Sequence, residues 1–368
     1  MIVTIDDAST MDMDDAISIN KTQYKMTLNV YISDVTSIIG KDNDEYKRAN
    51  ERMETDYIRN IPMLPRRLSE YDLSLVVGRP RKVIAATFIF TRQQKMWRQV
   101  GECSFSRTEI MVDEKLTYGE ADFHPILKGM KIAYYAWSDT NHMPYYCSPT
   151  YKQGKRVVLV ANKERSRRYL TTIMKMTNIA AAKQIMKHGP AITVHRVERE
   201  DTRVFDDLLK AGGIARNCPY NKLYAKLYGK PLYMPILLND PRNNRATYAI
   251  DETNCMVGCP YVQFTSPIRR FADIIAHIQL LGSLEGVRAF SDTELDDLVD
   301  QFNNYRRIKP DYSLSNQYLR ENDFWGIPIS SKWIYIKEIN RVIRFNIGKD
   351  RRMLLFAYDG MWKMLSYN

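Results

Sequence analysis

Four aspartates near the N-terminus are the residues best placed to do chemistry. Asp6, Asp12, Asp14 and Asp15 fall within ten residues, in a segment with a fifth aspartate, Asp7, and no Lys or Arg. Carboxylates this close repel one another unless a cation lies among them, and oxygen ligands select hard ions, above all Mg²⁺ or Mn²⁺. The cluster indicates a Mg²⁺ site that binds phosphates, with a solvated acidic turn as the alternative.

Other metal sites fit the sequence less well. An EF-hand loop beginning at Asp12 would place Ile17 and Gln23 where that loop needs Gly and Glu. Cys255 and Cys259 are separated by three residues, with no second pair nearby, and the five His residues show no HExxH pattern. The sequence therefore argues against most zinc hydrolases.

The segment TSPIRRF, residues 265–271, has the features of a helix start. Ser is a favoured N-cap and Pro fits the first helical position, so Ser266 and Pro267 predict that a helix begins there. An apolar stripe at helical spacing follows, from Phe271 to Leu281.

Two arginines would lie in the first turn of that helix. Arg269 and Arg270 would oppose the helix dipole, and a bound phosphate would compensate for this. An ion pair to Asp273 is the alternative explanation. Together, the acidic cluster and the arginine pair indicate phosphoryl transfer.

Hydrophobic periodicity predicts the elements that would position these residues. The predicted strands lie at 3–6, 16–19, 26–32 and 83–91. The predicted helices lie at 41–54, 168–186, 204–209 and 220–227, with one more opened by a capping box of Ser291 and Glu294. Residues 138–156 lack a period, which predicts a surface excursion.

Composition excludes several classes of protein. The 368 residues are 45% hydrophobic, as in a globular chain, and no stretch reaches the length of a membrane helix. Five cysteines, an odd number, predict a reducing compartment and hence an intracellular, by default cytoplasmic, protein. The net charge of +11 is compatible with a polyanionic partner.

Two segments, TIDDASTMDMDDAISI and YVQFTSPIRRFADIIAHIQL, resemble the signatures of the RNB exoribonucleases, the family of ribonuclease II and ribonuclease R. VYISDV, IRNIPMLPRRLSE and EKLTY resemble further family blocks in the same order, so the resemblance spans residues 2–326. It implies an α+β fold, with mixed, mostly antiparallel sheets flanked by helices, over residues 1–331. The β-rich tail at 332–368 is interpreted as a remnant of a C-terminal OB-fold domain.

The resemblance also implies an activity: hydrolysis of single-stranded RNA from the 3′ end to 5′-monophosphates, with Mg²⁺ or Mn²⁺ as cofactor. Asp12, Asp14 and Arg269 would be catalytic. The metal ligands would be Asp6, Asp12, Asp14 and Asp15, and RNA would contact Tyr118 and Arg270. A basic cluster adds Arg167 and Arg168 as candidate RNA contacts, with solvated surface as the alternative.

Several positions depart from the family pattern. Thr171 and Thr172 stand where the family usually has two glutamates, Gln263 where it usually has His, and Leu319 where a Glu commonly precedes Arg320. Relatives usually carry OB-fold RNA-binding domains, which a protein partner would have to supply here. The alternative function is a weakened or inactive RNB-like protein, acting as an RNA-binding or scaffold subunit of a larger assembly.

Overall fold

The structure, a computed structural model, describes residues 1–41, 43–57, 60–141, 147–151, 157–161, 164–195, 232–237, 260–308, 323–328, 333–336, 341–346, 354–358 and 361–367. The helices predicted at 204–209 and 220–227 lie outside the described residues, as do Cys255, Cys259 and Leu319. Within the described part of the chain, no helix has the length and apolar character needed to cross a membrane.

A seven-stranded sheet carries the first five aspartates. Its strands are β1 (Ile2–Asp6), β2 (Asp15–Lys21), β3 (Lys25–Ser33), β4 (Pro80–Gln93), β5 (Met96–Gln99), β6 (Ser104–Met111) and β7 (Glu114–Thr117). The strand order is β5-β4-β3-β2-β1-β7, with β6 also paired to β4. Only the pairing of β1 with β7 is parallel, so the expected mixed, mostly antiparallel sheet is confirmed.

Helices cover this sheet and form a second core beside it. They are α1 (Asp44–Arg52), α2 (Tyr118–Ala121), α3 (Ile126–Asn141), α4 (Arg165–Ile185), α5 (Phe271–Leu284) and α6 (Asp292–Ile308). Buried residues of α3 and α4, including Met130 and Ile173, share a core with sheet residues such as Phe88. In the second core, Phe271 of α5 packs edge-on against Tyr46 of α1 and Phe302 of α6.

The helix predicted to begin at Ser266 and Pro267 begins later, at Phe271, so the predicted cap was wrong. Residues 266–270 form a turn instead, in which the amides of Arg269 and Arg270 donate to the Ser266 carbonyl at 3.3 and 3.1 Å. Arg270 has extended backbone angles because the next amide, that of Phe271, donates to the Met53 carbonyl. The two arginines therefore precede the helix rather than occupy its first turn.

The remaining elements agree in part with the sequence. The capping box is present, with the Ser291 hydroxyl accepting from the Glu294 amide and the Glu294 carboxylate accepting from Ser291. Within residues 138–156, predicted as a surface excursion, α3 continues to Asn141 and β8 (Cys147–Tyr151) pairs with β9 (Val157–Ala161). A further antiparallel pair joins β10 (Ala191–His195) to β11 (Leu232–Ile236).

The tail forms its own five-stranded antiparallel sheet. Its strands are β12 (Phe324–Pro328), β13 (Trp333–Ile336), β14 (Arg341–Arg344), β15 (Leu354–Tyr358) and β16 (Trp362–Tyr367), in the order β14-β13-β12-β15-β16. Because β12 lies in the middle, the sheet begins before the boundary expected at residue 332. Five strands are also the number in an OB barrel, and the interpretation of the tail as an OB-fold remnant stays a prediction.

The closest approach of α3 to the sheet yields a prediction about stability. A Cβ on Gly129 would lie 2.6 Å from Cγ2 of Ile19, whereas a Cβ on Gly119 would meet nothing within 4 Å. Gly129→Ala should lower the free energy of unfolding by about 1–2 kcal/mol despite its better helix propensity. Gly119→Ala should leave it unchanged or raise it slightly. Urea unfolding followed by circular dichroism measures both, and equal effects would contradict the expected contact.

Candidate active site

Strand register brings the aspartates to one end of the sheet. β1 ends at Asp6 and β2 begins at Asp15, and the two strands run antiparallel with Val3 opposite Ile17. The turn between them carries the other aspartates. On the opposite side of β1, Asp6 pairs with Thr117 of β7, which places Tyr118 next to the same end.

A cleft of about 530 Å³ opens at this end of the sheet. Among its lining residues are Asp6, Asp7, Asp12, Asp14, Asp15, Tyr57, Tyr118, Arg167 and Arg269. The structure therefore brings together all four predicted metal ligands, all three predicted catalytic residues and two of the four predicted RNA contacts.

Asp14 joins the turn after β1 to the segment ahead of α5. Its carboxylate is 4% exposed and accepts from the Ile268 amide at 2.8 Å and from Arg269 Nε at 3.1 Å. Burial raises the pKa of Asp14 to about 7, although Arg269 and the Ile268 amide act in the opposite direction. Arg269 also donates to the Ser266 hydroxyl at 2.9 Å, so its guanidinium is held in a fixed orientation.

Asp6 and Asp15 lie in a partly buried position with few opposing charges. Burial raises the pKa of Asp6 to about 6, with Lys115 as the strongest opposing charge. The pKa of Asp15 is raised well above its usual range, first by burial and then by the charges of Asp6 and Asp14. Asp6 Oδ2 is buried and has no hydrogen-bond partner among the residues that the structure describes. A cation would satisfy this oxygen and relieve the repulsion.

The donor set partly matches a hard-metal site. Among the described residues, no group of three or more His, Cys, Asp or Glu side chains is arranged to hold a metal ion. Asp14 is engaged by Arg269, and Asp12 accepts from the Tyr57 hydroxyl at 2.7 Å. Asp6 and Asp15 are the two carboxylates that are still available to a metal ion. Mg²⁺ commonly binds through one or two carboxylates together with waters and substrate phosphates. This pair therefore fits a Mg²⁺ ion that the substrate helps to hold.

Tyr118 and Arg167 form a stacked pair in the wall of the cleft. The Arg167 guanidinium carbon lies 3.7 Å from the centre of the Tyr118 ring. Arg167 also donates to Asp7 at 2.6 Å and to Glu164 at 3.1 Å. These ion pairs fix the guanidinium and, through it, the ring.

Arg270 and Arg168, the other two predicted RNA contacts, do not line this cleft. Arg270 pairs with the fully buried Asp273 at 2.8 Å and lines a separate cavity of about 160 Å³. The alternative explanation for the arginine pair, an ion pair to Asp273, is therefore confirmed for Arg270. The Arg168 guanidinium lies 5.0 and 5.3 Å from the ring centres of Tyr134 and Tyr169, which are buried.

The threonines that replace the family glutamates are satisfied within their own helix. The Thr171 hydroxyl donates to the Arg167 carbonyl at 2.7 Å, and the Thr172 hydroxyl donates to the Arg168 carbonyl at 3.1 Å. Neither threonine lines the cleft. At this position the chain offers no acidic group to a ligand.

Two buried side chains hold the segment that leads into the arginine turn. Asn178 of α4 accepts from the Phe264 amide at 3.1 Å and donates to the Tyr261 hydroxyl at 2.6 Å. Nε2 of His277 in α5 hydrogen-bonds the Phe264 carbonyl at 2.9 Å. Both helices therefore fix the backbone immediately before Thr265.

Sequence reasoning missed Tyr57, Lys115 and Asp7 as parts of this site. The chain has 24 tyrosines, and no local pattern distinguishes Tyr57 from the rest. Lys115 lies three residues before Tyr118 in the EKLTY block, and its position on a strand beside β1 could have indicated a contact with the aspartates.

The chain is similar to RNB proteins along most of its length. The RNB domain family model matches residues 1–128 and 148–286. Exoribonuclease 2 of Aeromonas hydrophila is 28% identical over 324 residues, which cover 77% of this chain and 47% of that protein. Exoribonuclease 2 of Psychromonas ingrahamii is 24% identical over 94% of this chain and 58% of its own length. The chain thus spans about half the length of these curated relatives.

Solved structures share the fold. Mycoplasma genitalium RNase R in complex with ribose-methylated single-stranded RNA superposes with a TM-score of 0.69 at 16% identity, covering 99% of this chain and 67% of that one. Yeast Ssd1, described as a pseudonuclease, superposes with a TM-score of 0.65 at 16% identity, covering 98% of this chain and 52% of that one. At such low identity these likenesses establish the fold alone.

The buried ion pair behind the arginine turn yields a second prediction. Asp273 is fully buried and accepts from both the Ser266 amide and Arg270 at 2.8 Å. Asp273→Ala should lower the free energy of unfolding by about 1.5–3 kcal/mol, because it leaves both donors without this acceptor. Asp292→Ala is the matched control, since Asp292 pairs with Arg288 while 80% exposed. Asp292→Ala should lower the free energy of unfolding by less than about 1 kcal/mol. Chemical unfolding of the two variants checks the difference.

Proposed function

Because this chain belongs to the RNB domain family, we propose that it is a metal-dependent 3′ to 5′ exoribonuclease that hydrolyses single-stranded RNA to 5′-monophosphates. The observation that carries the proposal is the cleft itself. There, carboxylates that a cation would stabilise in their ionised form meet an oriented arginine, a combination suited to metal-assisted phosphodiester hydrolysis.

Asp6 and Asp15 would hold the metal, and Asp12 would complete its surroundings. Mg²⁺, or Mn²⁺ in its place, would activate water and stabilise the leaving oxygen. The buried Asp6 oxygen, which no described residue hydrogen-bonds, supports this assignment. Substrate phosphate oxygens would fill positions that the protein leaves open.

Arg269 would neutralise charge that develops on the scissile phosphate. Its Nε is held by Asp14 and one Nη by Ser266, while its side chain is 41% exposed to the cleft. A guanidinium oriented in advance loses little freedom when it meets the phosphate. In this role Asp14 is a positioning residue, which acts through Arg269.

Tyr118 and Arg167 would contact the RNA near its 3′ end. Arg167 covers one face of the Tyr118 ring, and a base or ribose could stack against the ring at the cleft. Arg167 would supply positive charge beside the RNA backbone. Arg168 and Arg270, which lie outside the cleft, have no part in this proposal.

A second candidate function is an RNA-binding or scaffold subunit without catalysis, working with a protein partner that supplies further RNA-binding domains. The observation that favours it is the pair Thr171 and Thr172, whose hydroxyls bond within α4 instead of presenting acids to the cleft. A similar fold in yeast Ssd1, a pseudonuclease, shows that this architecture occurs without nuclease activity.

A nuclease assay distinguishes the two candidates. Wild-type protein with 5′-labelled single-stranded RNA and Mg²⁺ or Mn²⁺ should yield a ladder of 3′-shortened products, and EDTA should abolish it. Asp14→Asn should reduce the rate on the order of 100-fold or more, because Arg269 loses its charged partner. Asp292→Asn, at an exposed position, should cleave like the wild type.

The outcome of the same assay can contradict the enzyme. RNA binding without a ladder, under either metal, would identify the RNA-binding or scaffold subunit instead. A ladder that persists in EDTA would refute the metal requirement while leaving the nuclease in place.

Arg269 allows a separate test of transition-state stabilisation. Arg269→Ala should lower kcat by about 100- to 1,000-fold while RNA affinity, measured in EDTA, changes about threefold or less. Arg269→Lys should recover part of the rate, since it keeps the charge but loses the fork. Arg288→Ala, on the exposed surface, serves as the control. Equal losses of rate and affinity in Arg269→Ala would mean that Arg269 binds RNA without stabilising the transition state.

A further inference from the structure

Ser74 hydrogen-bonds the backbone on both sides of Asp12. Its hydroxyl donates to the Met11 carbonyl at 2.7 Å and accepts from the Met13 amide at 3.0 Å. Ser74 is fully buried and lies 61 residues away from Met13 in the chain. One hydroxyl thus fixes the two peptide groups that flank a predicted metal ligand.

The backbone around Ser74 is itself fixed. The Leu75 amide donates to the Met13 carbonyl at 3.0 Å, which adds a third bond between the two segments. Arg81, at the start of β4, donates from Nε to the Ser74 carbonyl at 2.9 Å and from Nη2 to the Tyr71 carbonyl at 2.5 Å. The hydroxyl therefore belongs to a rigid support anchored on the sheet.

Lys115 holds the other half of the same turn. Its ammonium donates to the Thr10 carbonyl at 2.7 Å and to the Ala8 carbonyl at 3.4 Å. The turn at residues 7–14 is thus fixed by the Lys115 side chain of β7 on one side and by residues 74–75 on the other. The Tyr57 hydroxyl, which donates to the Asp12 carboxylate, orients the side chain rather than the backbone.

This support opposes the repulsion among the aspartates. Asp6, Asp12 and Asp14 line the same cleft, so their negative charges would repel one another across the turn. Buried hydrogen bonds to the backbone keep the turn closed before any cation binds. A site whose ligands are held in place in advance binds its ion more tightly, because less ordering remains to be done on binding.

We propose that Ser74 is a positioning residue of the metal site, and that its hydroxyl holds the turn that carries Asp12 beside Asp6 and Asp15 in the geometry that receives a divalent cation. This inference rests on the proposed function, since it requires the metal site at the aspartates. It assigns a role to a buried serine remote in sequence from every predicted ligand.

Mn²⁺ binding, measured by electron paramagnetic resonance on full-length protein without RNA, tests the proposal. Ser74→Ala should weaken Mn²⁺ affinity on the order of 10-fold, as loss of a residue that orients a ligand commonly does. RNA affinity in EDTA should stay within about twofold, since the hydroxyl does not line the cleft. Amide hydrogen exchange at Met13 should accelerate in the same variant.

Ser33→Ala is the matched control. Ser33 is also buried, and its hydroxyl donates to the Leu73 carbonyl at 2.7 Å. Its bond to the aspartate turn runs from the backbone amide to the Asp14 carbonyl at 2.9 Å, so the substitution keeps that bond. Both variants delete one buried hydroxyl at neighbouring places in the fold, so they should lower Tm to a similar extent. Only Ser74→Ala should weaken Mn²⁺ binding.

Equal Mn²⁺ affinities in the two variants would overturn the proposal, whether both are weakened or neither is. If Ser74→Ala does not fold, Ser74→Cys keeps the side-chain volume with a weaker donor and should weaken Mn²⁺ in the same direction. Wild-type protein that neither binds Mn²⁺ nor degrades RNA would refute the proposed function together with this inference. Wild-type binding that Ser74→Ala leaves intact would refute this inference alone.

Discussion

The mutual repulsion of buried carboxylates at the end of β1 and β2 is the constraint on which the rest of the site depends. Antiparallel pairing of these two strands forces Asp6 and Asp15 together, and burial removes the water that would screen them. The protein compensates with few charges: Arg269 from the turn before α5 and Lys115 from β7. Long-range contacts to this end of the sheet therefore link the two ends of the RNB domain.

The late start of α5 follows from the same constraint. A helix beginning at Pro267 would leave its first amides unpaired along the helix axis. In the turn that forms instead, the Ile268 amide donates to Asp14, and Asp273, the third residue of α5, accepts from the Ser266 amide. The capping signal was real in residue type, but the distant Asp14 carboxylate accepts from the Ile268 amide, a donor that a Ser266 cap would have satisfied.

Local sequence patterns predicted the clustering of the aspartates, the strands β1 to β4 and the capping box of α6, because each of these features depends on residues close in sequence. The support of the site could not be predicted in this way. Ser74 and Tyr57 reach the aspartate turn through tertiary contacts that leave no local signal. Arg167 and Arg168 are neighbours on α4, about 100° apart around the helix, so only the packing of that helix decides which one faces the cleft.

The energetics of the aspartates bear on the choice between enzyme and scaffold. Raised pKa values mean that the folded state opposes ionisation of Asp6, Asp14 and Asp15, so keeping these groups charged costs stability. A protein that only binds RNA gains nothing from such groups, since buried anions also repel phosphates. With Thr171 and Thr172, α4 carries no acidic group at these two positions. The aspartate cluster, whose ionisation lowers stability, is nevertheless complete. Strain retained at a site is best explained by a ligand that relieves it, and a divalent cation would do so here.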